Sequence, residues 1–223
     1  MRERKNVKKY KIAVFDLDGT LLDTSGGVLS AVKRTIKENN MEEISGEKLL
    51  SFIGPPIQDS FIRAYQMSKE EAQEMADRYR NYYKEDEYLL NAVAYDGIFE
   101  LMGELHEQGV KVAVATYKRE DHAISVLKHF GFDKYADIMY GSDNNNQLKK
   151  MDIIEKCLKD AGVSDYSQAV MIGDSDNDAI GAQHIGMDFL GVTYGFGFHS
   201  PEDVEVYPNV GCADTPLGLL KYF

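Results

Sequence analysis

The sequence predicts an α/β protein, with a Rossmann-like parallel sheet and an all-helical segment inserted after the first strand. Three short apolar runs, at residues 11–15, 110–115 and 169–172, have the length and composition of buried strands. Helical patterns alternate with the later strands, which favours a parallel sheet covered on both faces. Residues 24–94, by contrast, show helical patterns and no convincing strand.

The later part of the chain extends this pattern of strands and helices. Two further strands are predicted at residues 138–140 and 189–193. Apolar residues recur at helical spacing before Gly109 and again before Gly131, and each glycine supplies a stop signal for its helix. This part of the sequence therefore predicts helices that cross between parallel strands.

The inserted segment is predicted to form a helical cap on the sheet. Residues 70–87 are predicted to form one long charged helix. Its tyrosines, at helical spacing, favour a packed core, although they could also stack on a substrate ring. These tyrosines are Tyr79, Tyr82 and Tyr83. The predicted domains are a discontinuous catalytic core, residues 1–23 and 95–223, and a cap, residues 24–94.

The charge of the chain argues against two classes of partner. The 223 residues carry a formal net charge of −12, which repels nucleic acids and anionic membrane surfaces. A phosphorylated substrate is repelled as well, so its binding needs a metal ion or a few well-placed Lys and Arg side chains.

The basic residues within 1–10 are predicted to be a solvated leader. The apolar run 12–15 is too short for a signal peptide or a membrane span.

Cysteine usage is typical of a reducing compartment. Cys157 lies on the apolar side of a helical pattern, which predicts a buried thiol, and Cys212 is the second cysteine of the chain. Two cysteines imply no disulfide framework. We expect a cytoplasmic protein that is a monomer or a weak homodimer.

Polar side chains follow the predicted strands where the strands end. Asp16 follows the first strand, Thr116 the second and Asp174 the third. Ligands of parallel sheets bind beyond the carboxyl ends of the strands, so these residues mark the predicted site. Thr116 could bind a phosphoryl oxygen, or it could cap the helix that follows.

Asp16 and Asp18 form a pair of carboxylates at the end of the first strand. Residues two apart on an extended chain leave the same side, so the two carboxylates repel each other unless a cation or a shared proton lies between them. A hard divalent ion with oxygen ligands meets that need. One carboxylate could then attack an electrophile while the other moves a proton. The alternative is a plain Asp-Gly turn without chemistry.

Two further sets of candidate site residues lie at the starts of predicted helices. Asp174 could complete a metal site, with Asp178 supporting it from the next helical turn, or both could be ordinary helix caps. Lys149 or Lys150 could hold a carboxylate and a phosphate together as a compact positive charge, or both could be surface lysines.

Taken in order, these motifs resemble those of the haloacid dehalogenase superfamily of phosphotransferases. Asp16-Leu17-Asp18-Gly19-Thr20-Leu21 matches the first motif and Thr116 the second. Gly173-Asp174-Ser175 with Asp178 matches the fourth. The helical insert, with Phe52-Ile53-Gly54-Pro55-Pro56, is similar to the helical (C1-type) cap of the phosphoglycolate phosphatase-like subgroup.

The third motif departs from the pattern of the superfamily. Relatives often show Lys-Pro-x-Pro, whereas this chain has Lys149-Lys150-Met151-Asp152. Lys150 is preferred as the phosphate-binding lysine because it directly precedes the predicted helix. The choice between the two lysines is left to the structure.

The resemblance implies a phosphatase that hydrolyses small phosphate monoesters through an aspartyl-phosphate on Asp16. Asp18 would protonate the leaving alcohol and then activate water. Thr116 and Lys150 would hold the phosphoryl oxygens. Tyr117 and Gly19 are also expected at the phosphate.

The resemblance also implies Mg²⁺ as the cofactor. Asp16, Asp174 and the backbone carbonyl of Asp18 would bind the ion, with Asp178 and Ser175 supporting these ligands. Phosphoryl transfer mainly needs in-line positioning and charge neutralisation, which agrees with this set of residues.

Two other functions stay open beside the phosphatase. A phosphosugar mutase of the β-phosphoglucomutase type shares this scaffold, but no clear set of sugar-binding residues stands out in the insert. A non-catalytic phosphate-binding or regulatory module is the second alternative.

The substrate is open among phosphoglycolate-, nucleotide- and sugar-phosphate-like esters. Selectivity is assigned to the insert, with Ile57, Gln58 and Arg63 expected to influence the ranking of substrates.

Overall fold

The computed structural model describes residues 10–136 and 138–223. The basic residues 2–9, predicted to belong to a solvated leader, lie outside the described residues. Eight strands lie within the described ranges: β1 Ile12–Phe15, β2 Leu22–Asp23, β3 Val93–Ala94, β4 Lys111–Arg119, β5 Ile138–Ser142, β6 Ala169–Gly173, β7 Asp188–Val192 and β8 Gly211–Ala213.

A six-stranded parallel sheet forms the centre of the molecule. Its order is β5-β4-β1-β6-β7-β8, so β1 is a central strand paired with β4 on one side and β6 on the other. The predicted fold class, an α/β protein with a Rossmann-like parallel sheet, is confirmed. All five predicted strands are present, with ends shifted by at most four residues.

The sheet is covered on both faces because its strands alternate between two apolar clusters. Along β1, Ala13 and Phe15 belong to one cluster, whereas Ile12 and Val14 belong to the other. Successive side chains of a strand point to opposite faces, so two separate cores need apolar residues at every position. This is why the strand sequences are continuous apolar runs rather than alternating ones.

Ten α-helices lie within the described ranges. They are α1 Ser25–Glu38, α2 Gly46–Leu50, α3 Ile57–Tyr65, α4 Lys69–Tyr83, α5 Asp86–Leu89, α6 Ile98–Glu107, α7 Glu120–His129, α8 Lys150–Asp160, α9 Asp176–His184 and α10 Pro201–Glu205. Helices α1–α5 follow one another between β2 and β3. None of the helices in these ranges is long and apolar enough to cross a membrane.

The segment 24–94 contains one strand that the sequence did not indicate. β3 pairs with β2 in an antiparallel ribbon, with Leu22 opposite Ala94 and Asp23 opposite Val93. A two-residue strand has no periodicity to detect, and its partner is distant in the sequence. The ribbon places the start and the end of the helical segment side by side. The predicted domain boundaries, which fall at this ribbon, stay a prediction.

The prediction of one continuous helix over residues 70–87 is wrong. α4 ends at Tyr83, the chain turns at Glu85, and α5 begins at Asp86. At this turn Glu85 Oε2 accepts a hydrogen bond of 2.8 Å from Arg34 Nη1 of α1. This contact with a distant helix favours the break, which no Gly or Pro marks in the sequence.

Candidate active site

Three neighbouring strands bring the predicted polar residues to one edge of the sheet. Asp16 follows β1, and its N–H donates to Ile172 O at 2.9 Å, so the β1–β6 ladder continues up to the carboxylate. Asp174 follows β6, and Thr116 lies in β4. All three side chains are buried. Parallel strands end at the same edge, which is why residues distant in sequence meet here.

Lys150 is the lysine that reaches this edge. Its Nζ donates to Asp16 Oδ1 at 2.6 Å and lies 2.8 Å from Asp178 Oδ1. Burial opposes the charge of Lys150, but the two carboxylates raise its pKa above the ordinary value. Lys149 is exposed at the start of α8. The geometry therefore favours Lys150 over Lys149.

Three buried carboxylates form a group that could hold a cation. Asp16, Asp174 and Asp178 each offer an oxygen, and these oxygens lie within 4.8 Å of one another. Burial, together with the charge of the other acids, raises the pKa of Asp16 to about 7 and that of Asp174 to about 8. With all three acids ionised, Lys150 would supply one positive charge against three negative ones. A set of oxygen ligands with uncompensated charge fits a hard divalent ion.

Asp178 and Ser175 support this group from the start of α9. Asp178 Oδ2 accepts hydrogen bonds from the Ser175 hydroxyl at 2.8 Å and from the Ser175 N–H at 3.2 Å. The two residues form a capping box, so the helix-capping role is present. Because Asp178 also pairs with Lys150 through Oδ1, both of its oxygens are engaged. That leaves Asp16 and Asp174 as the better candidate ligands.

Gly19 brings the first loop against Asp174. Its φ of +83° favours glycine, and an added Cβ would overlap Asp174 Oδ2. Its N–H donates to Leu22 O at 2.9 Å. The absence of a side chain at Gly19 makes room for Asp174. The predicted contact of Gly19 with phosphate stays a prediction.

Asp18 lies beside a buried lysine rather than in the group of three acids. Lys118 Nζ lies 2.9 Å from Asp18 Oδ1 and donates to the Tyr83 hydroxyl at 2.9 Å. Thr24 Oγ1 donates to the same Asp18 oxygen. Burial opposes the charge of Lys118, yet Asp18 and Tyr83 raise its pKa above the ordinary value. Asp18 is thereby held by two fixed donors.

Comparison with known proteins decides the family. The model of the family described as haloacid dehalogenase-like hydrolase matches residues 13–192 of this chain. The chain belongs to this family. The matched segment begins in β1, contains the helical insert and ends in β7, so it includes every residue of the site described above.

Relatives of this haloacid dehalogenase-like hydrolase point to phosphate chemistry. A 5'-nucleotidase from Pseudomonas aeruginosa is 33% identical over 208 residues, covering 92% of each chain. A protein named tyrosine-protein kinase PtkA from Mycobacterium tuberculosis is 31% identical over 84% of this chain and 63% of its own length. The crystal structure of a predicted phosphatase from Clostridium acetobutylicum has a TM-score of 0.86 and 32% identity, covering 96% of this chain and 97% of its own. The chain is therefore an enzyme of the phosphatase type.

In this hydrolase the strand that carries Thr116 runs further than expected. β4 continues to Arg119, and α7 begins at Glu120. The alternative role of Thr116 as a helix cap is wrong, because its Oγ1 accepts the N–H of Lys118 at 3.1 Å instead. Tyr117 supports the lysine: its hydroxyl accepts the N–H of Lys150 at 2.9 Å. Phosphate binding by Thr116 and Tyr117 stays a prediction.

Sequence reasoning did not place Lys118 next to Asp18. The signal was present, because Thr116 and Lys118 are two residues apart and leave the same face of an extended strand. It was missed because β4 was predicted to end at residue 115. The contact between Thr24 and Asp18 depends on the turn after β1, and spacing alone does not reveal it.

The helical segment of the hydrolase contacts the loop between β5 and α8. The carbonyl oxygen of Asn144 accepts hydrogen bonds from Arg80 at 2.8 Å, Gln58 at 3.1 Å and Gln73 at 3.2 Å. Gln58, predicted to influence selectivity, therefore binds this loop. Ile57, in contrast, lines a cavity that Asp18 also lines.

Arg63 and the tyrosines complete the set of insert residues with predicted roles. Arg63 donates to Ser51 O at 2.5 Å and lines a cleft of about 450 Å³ that reaches Asp174. Tyr79 and Tyr83 are buried and stack at 5.2 Å, which agrees with a packed core, while Tyr82 is half-buried.

Proposed function

We propose that this enzyme hydrolyses small phosphate monoesters through an aspartyl-phosphate on Asp16. The observation that carries the proposal is the position of the Asp16 carboxylate. It is buried at the end of the central strand, within 2.6 Å of the Lys150 ammonium and beside Asp174 and Asp178. A buried carboxylate with a cation beside it can approach an anionic phosphoryl group, which would otherwise be repelled.

The proposed reaction has two steps on the same phosphorus atom. A carboxylate oxygen of Asp16 attacks the phosphorus, the bond to the ester oxygen breaks, and Asp18 delivers a proton to the leaving alcohol. Asp18 then takes a proton from a water molecule, whose oxygen attacks the phosphorus and releases Asp16. Lys150 and Thr116 hold the non-bridging oxygens through both steps.

A divalent cation is part of the proposal, and Mg²⁺ is the ion proposed. Asp16 and Asp174, with the backbone carbonyl of Asp18, would hold it, and the raised pKa values of both carboxylates favour a bound cation. When bound, such an ion neutralises charge on the phosphoryl group. The chain itself fixes the ligands: Asp174 Oδ2 accepts the N–H groups of Phe196 at 2.7 Å and Gly197 at 3.1 Å.

Removal of divalent ions tests this site. Excess EDTA should abolish hydrolysis, and Mg²⁺ should restore it, whereas Ca²⁺ should support it poorly because of its larger, looser coordination. Asp174→Ala should raise the Mg²⁺ concentration needed for half-maximal activity by about tenfold or more. Asp176→Ala is the matched control, since Asp176 is exposed on the same loop and helix. Full activity in excess chelator would refute the site.

Phosphate release distinguishes hydrolysis from its alternatives. Steady release of inorganic phosphate from p-nitrophenyl phosphate is the expected result. Transfer of phosphate between positions of a sugar would instead indicate a mutase. Binding of phosphate without turnover would indicate a regulatory module. Transfer from ATP to tyrosine would favour the activity that the name of the mycobacterial relative states.

Three further expectations belong to this proposal. We propose that the enzyme acts in the cytoplasm, as a monomer or weak homodimer, and the free thiols of Cys157 and Cys212 support a reducing compartment.

We also propose that the helical segment, residues 24–94, sets the ranking of substrates. Ile57, which lines the cavity next to Asp18, is the best placed of the three residues predicted for this role.

A further inference from the structure

The loop between β5 and α8 leads directly to Lys150 and also contacts the helical segment. The loop comprises residues 143–149, and Lys150 is the first residue of α8. The Asn144 carbonyl oxygen accepts hydrogen bonds from three side chains of the helical segment, and the shortest, at 2.8 Å, comes from Arg80 Nη1. The same nitrogen donates to Asn144 Oδ1 at 3.1 Å. Arg80 therefore binds both the backbone and the side chain of one loop residue.

Hydrogen bonds within the loop make it a stiff connection between Asn144 and Lys150. The carboxylate of Asp143 accepts three backbone N–H groups from further along the loop. The donors are Asn145 at 2.7 Å, Gln147 at 2.9 Å and Leu148 at 2.6 Å. An aspartate that binds its own following backbone in this way fixes a turn. A displacement of Asn144 is therefore passed along the loop toward Lys150.

The sheet holds the two ends of the loop, whereas the helical segment holds its middle. Ser142 Oγ donates to Tyr117 O at 2.7 Å, and the Tyr117 hydroxyl accepts the N–H of Lys150 at 2.9 Å. In the middle of the loop, Asn146 Nδ2 donates to Asp59 Oδ1 of α3 at 3.2 Å. Both α3 and α4 thus bind the segment that precedes the lysine.

Arg80 is the charged donor among the three that meet at Asn144. Its side chain is buried, and its guanidinium is a planar group with donors in fixed directions, which defines the position of an acceptor closely. Its acidic partner Asp77, at 3.2 Å, is half-exposed. Gln73 connects these groups, because its Nε2 donates to Asp77 Oδ1 at 3.0 Å and to Asn144 O at 3.2 Å.

We propose that Arg80 is a positioning residue for Lys150. By binding Asn144 it holds the loop that leads to the lysine, so the helical segment helps to set the 2.6 Å contact between the Lys150 ammonium and Asp16. The inference rests on the proposed function, in which Lys150 holds a phosphoryl oxygen. It gives the helical segment a role that is the same for every substrate, beside its proposed role in ranking them.

The kinetics of Arg80→Met test this role. The variant should lower kcat by about tenfold, because a small displacement of a group that positions the reacting atoms is costly in rate. The factor should be equal for p-nitrophenyl phosphate, phosphoglycolate and a nucleoside monophosphate, since Lys150 would meet the phosphoryl group that all three share. Arg80→Lys keeps a charged donor and should recover most of the loss. The fold should survive, because Asp77 is half-exposed and stays in contact with water.

Two further variants of α4 control this experiment. Arg78→Met is the matched control, because Arg78 is exposed and pairs with Glu74, and it should keep the wild-type kcat. Gln73→Met removes a different donor to the same carbonyl without removing a charge, and it should lower kcat by about threefold. If Arg80→Met failed to fold, Gln73→Met would serve for the same measurements. An unchanged kcat, or a loss that differs several-fold between esters, would contradict the positioning role.

Nuclear magnetic resonance follows the Lys150 ammonium group without turnover. In protein labelled with ¹⁵N on its lysines, this buried group, bonded to Asp16 and Asp178, should give a slowly exchanging signal. Lys150→Arg keeps the positive charge and identifies the signal by its loss. Arg80→Met should shift the signal and speed the exchange of its protons with water, whereas Arg78→Met should leave it unchanged.

The two measurements separate this inference from the proposed function. A Lys150 signal that Arg80→Met leaves unaltered would overturn the positioning role, even in an enzyme that hydrolyses every ester tested. A shifted signal in a protein that hydrolyses none of them would support the positioning of Lys150 by Arg80 and refute the phosphatase proposal.

Discussion

Replacing Asp16 with asparagine should lower kcat by about 10³-fold or more. The amide has the same shape as the carboxylate but cannot form an acyl-phosphate. The fold should survive, because Lys150 keeps Asp178 as a partner at 2.8 Å and the loss of one negative charge relieves repulsion within the group of acids. Steady-state kinetics with p-nitrophenyl phosphate measures the change, and circular dichroism checks the fold.

A second measurement separates the loss of chemistry from the loss of binding. Inorganic phosphate should still protect Asp16→Asn against thermal unfolding, since Thr116 and Lys150 are unchanged. Residual turnover above about a hundredth of the wild-type kcat would show that Asp16 is not the nucleophile.

Replacing Lys150 with methionine should destabilise the protein by about 3–5 kcal/mol. The side chain is 3% exposed, and its ammonium group is the partner of both Asp16 and Asp178. Methionine has a similar length but leaves these buried carboxylates without a counter-charge. Urea unfolding at neutral pH measures the change, and activity should fall as well, since Lys150 is proposed to hold a phosphoryl oxygen.

Lys149→Met is the matched control for this variant. The two lysines are adjacent, but the Lys149 side chain is exposed, and its backbone N–H, which donates to Asp152, is not altered by the substitution. Its free energy of unfolding should change by no more than about 0.5 kcal/mol. Equal effects of the two substitutions would contradict the assignment of Lys150 to the site.

Much of the fold could be predicted from the sequence, because strands buried on both faces leave a strong signal. The runs at β1 and β6 are continuous and apolar, and a carboxylate follows each one directly. β8 was missed because its sequence, Gly211-Cys212-Ala213, lacks such a run. It forms by pairing with β7, and pairing is not visible in the residues of a single strand.

Part of the candidate site could also be predicted, because the strands that carry its residues leave a strong signal in the sequence. Residues next to strand ends, such as Asp16 and Asp174, were placed by the strands themselves. Arg80 was not, since its position depends on the packing of the helical segment against the loop at Asn144. Lys118 was missed because β4 continues to Arg119, beyond its predicted end. The end of a strand can be recognised from neighbouring residues in the sequence. Contacts between the insert and the sheet join residues that are distant in the sequence, so they could not be predicted.

The order of strands in the sheet has a consequence for how the chain folds. β1 is synthesised well before its partner strands, which begin near residues 111 and 169. Closing such distant pairs carries a large entropic cost, which slows folding. The helices of the insert rely on local contacts and can form earlier. Until β6 has been synthesised, β1 presents an apolar, unpaired edge, which exposes unfinished chains to aggregation.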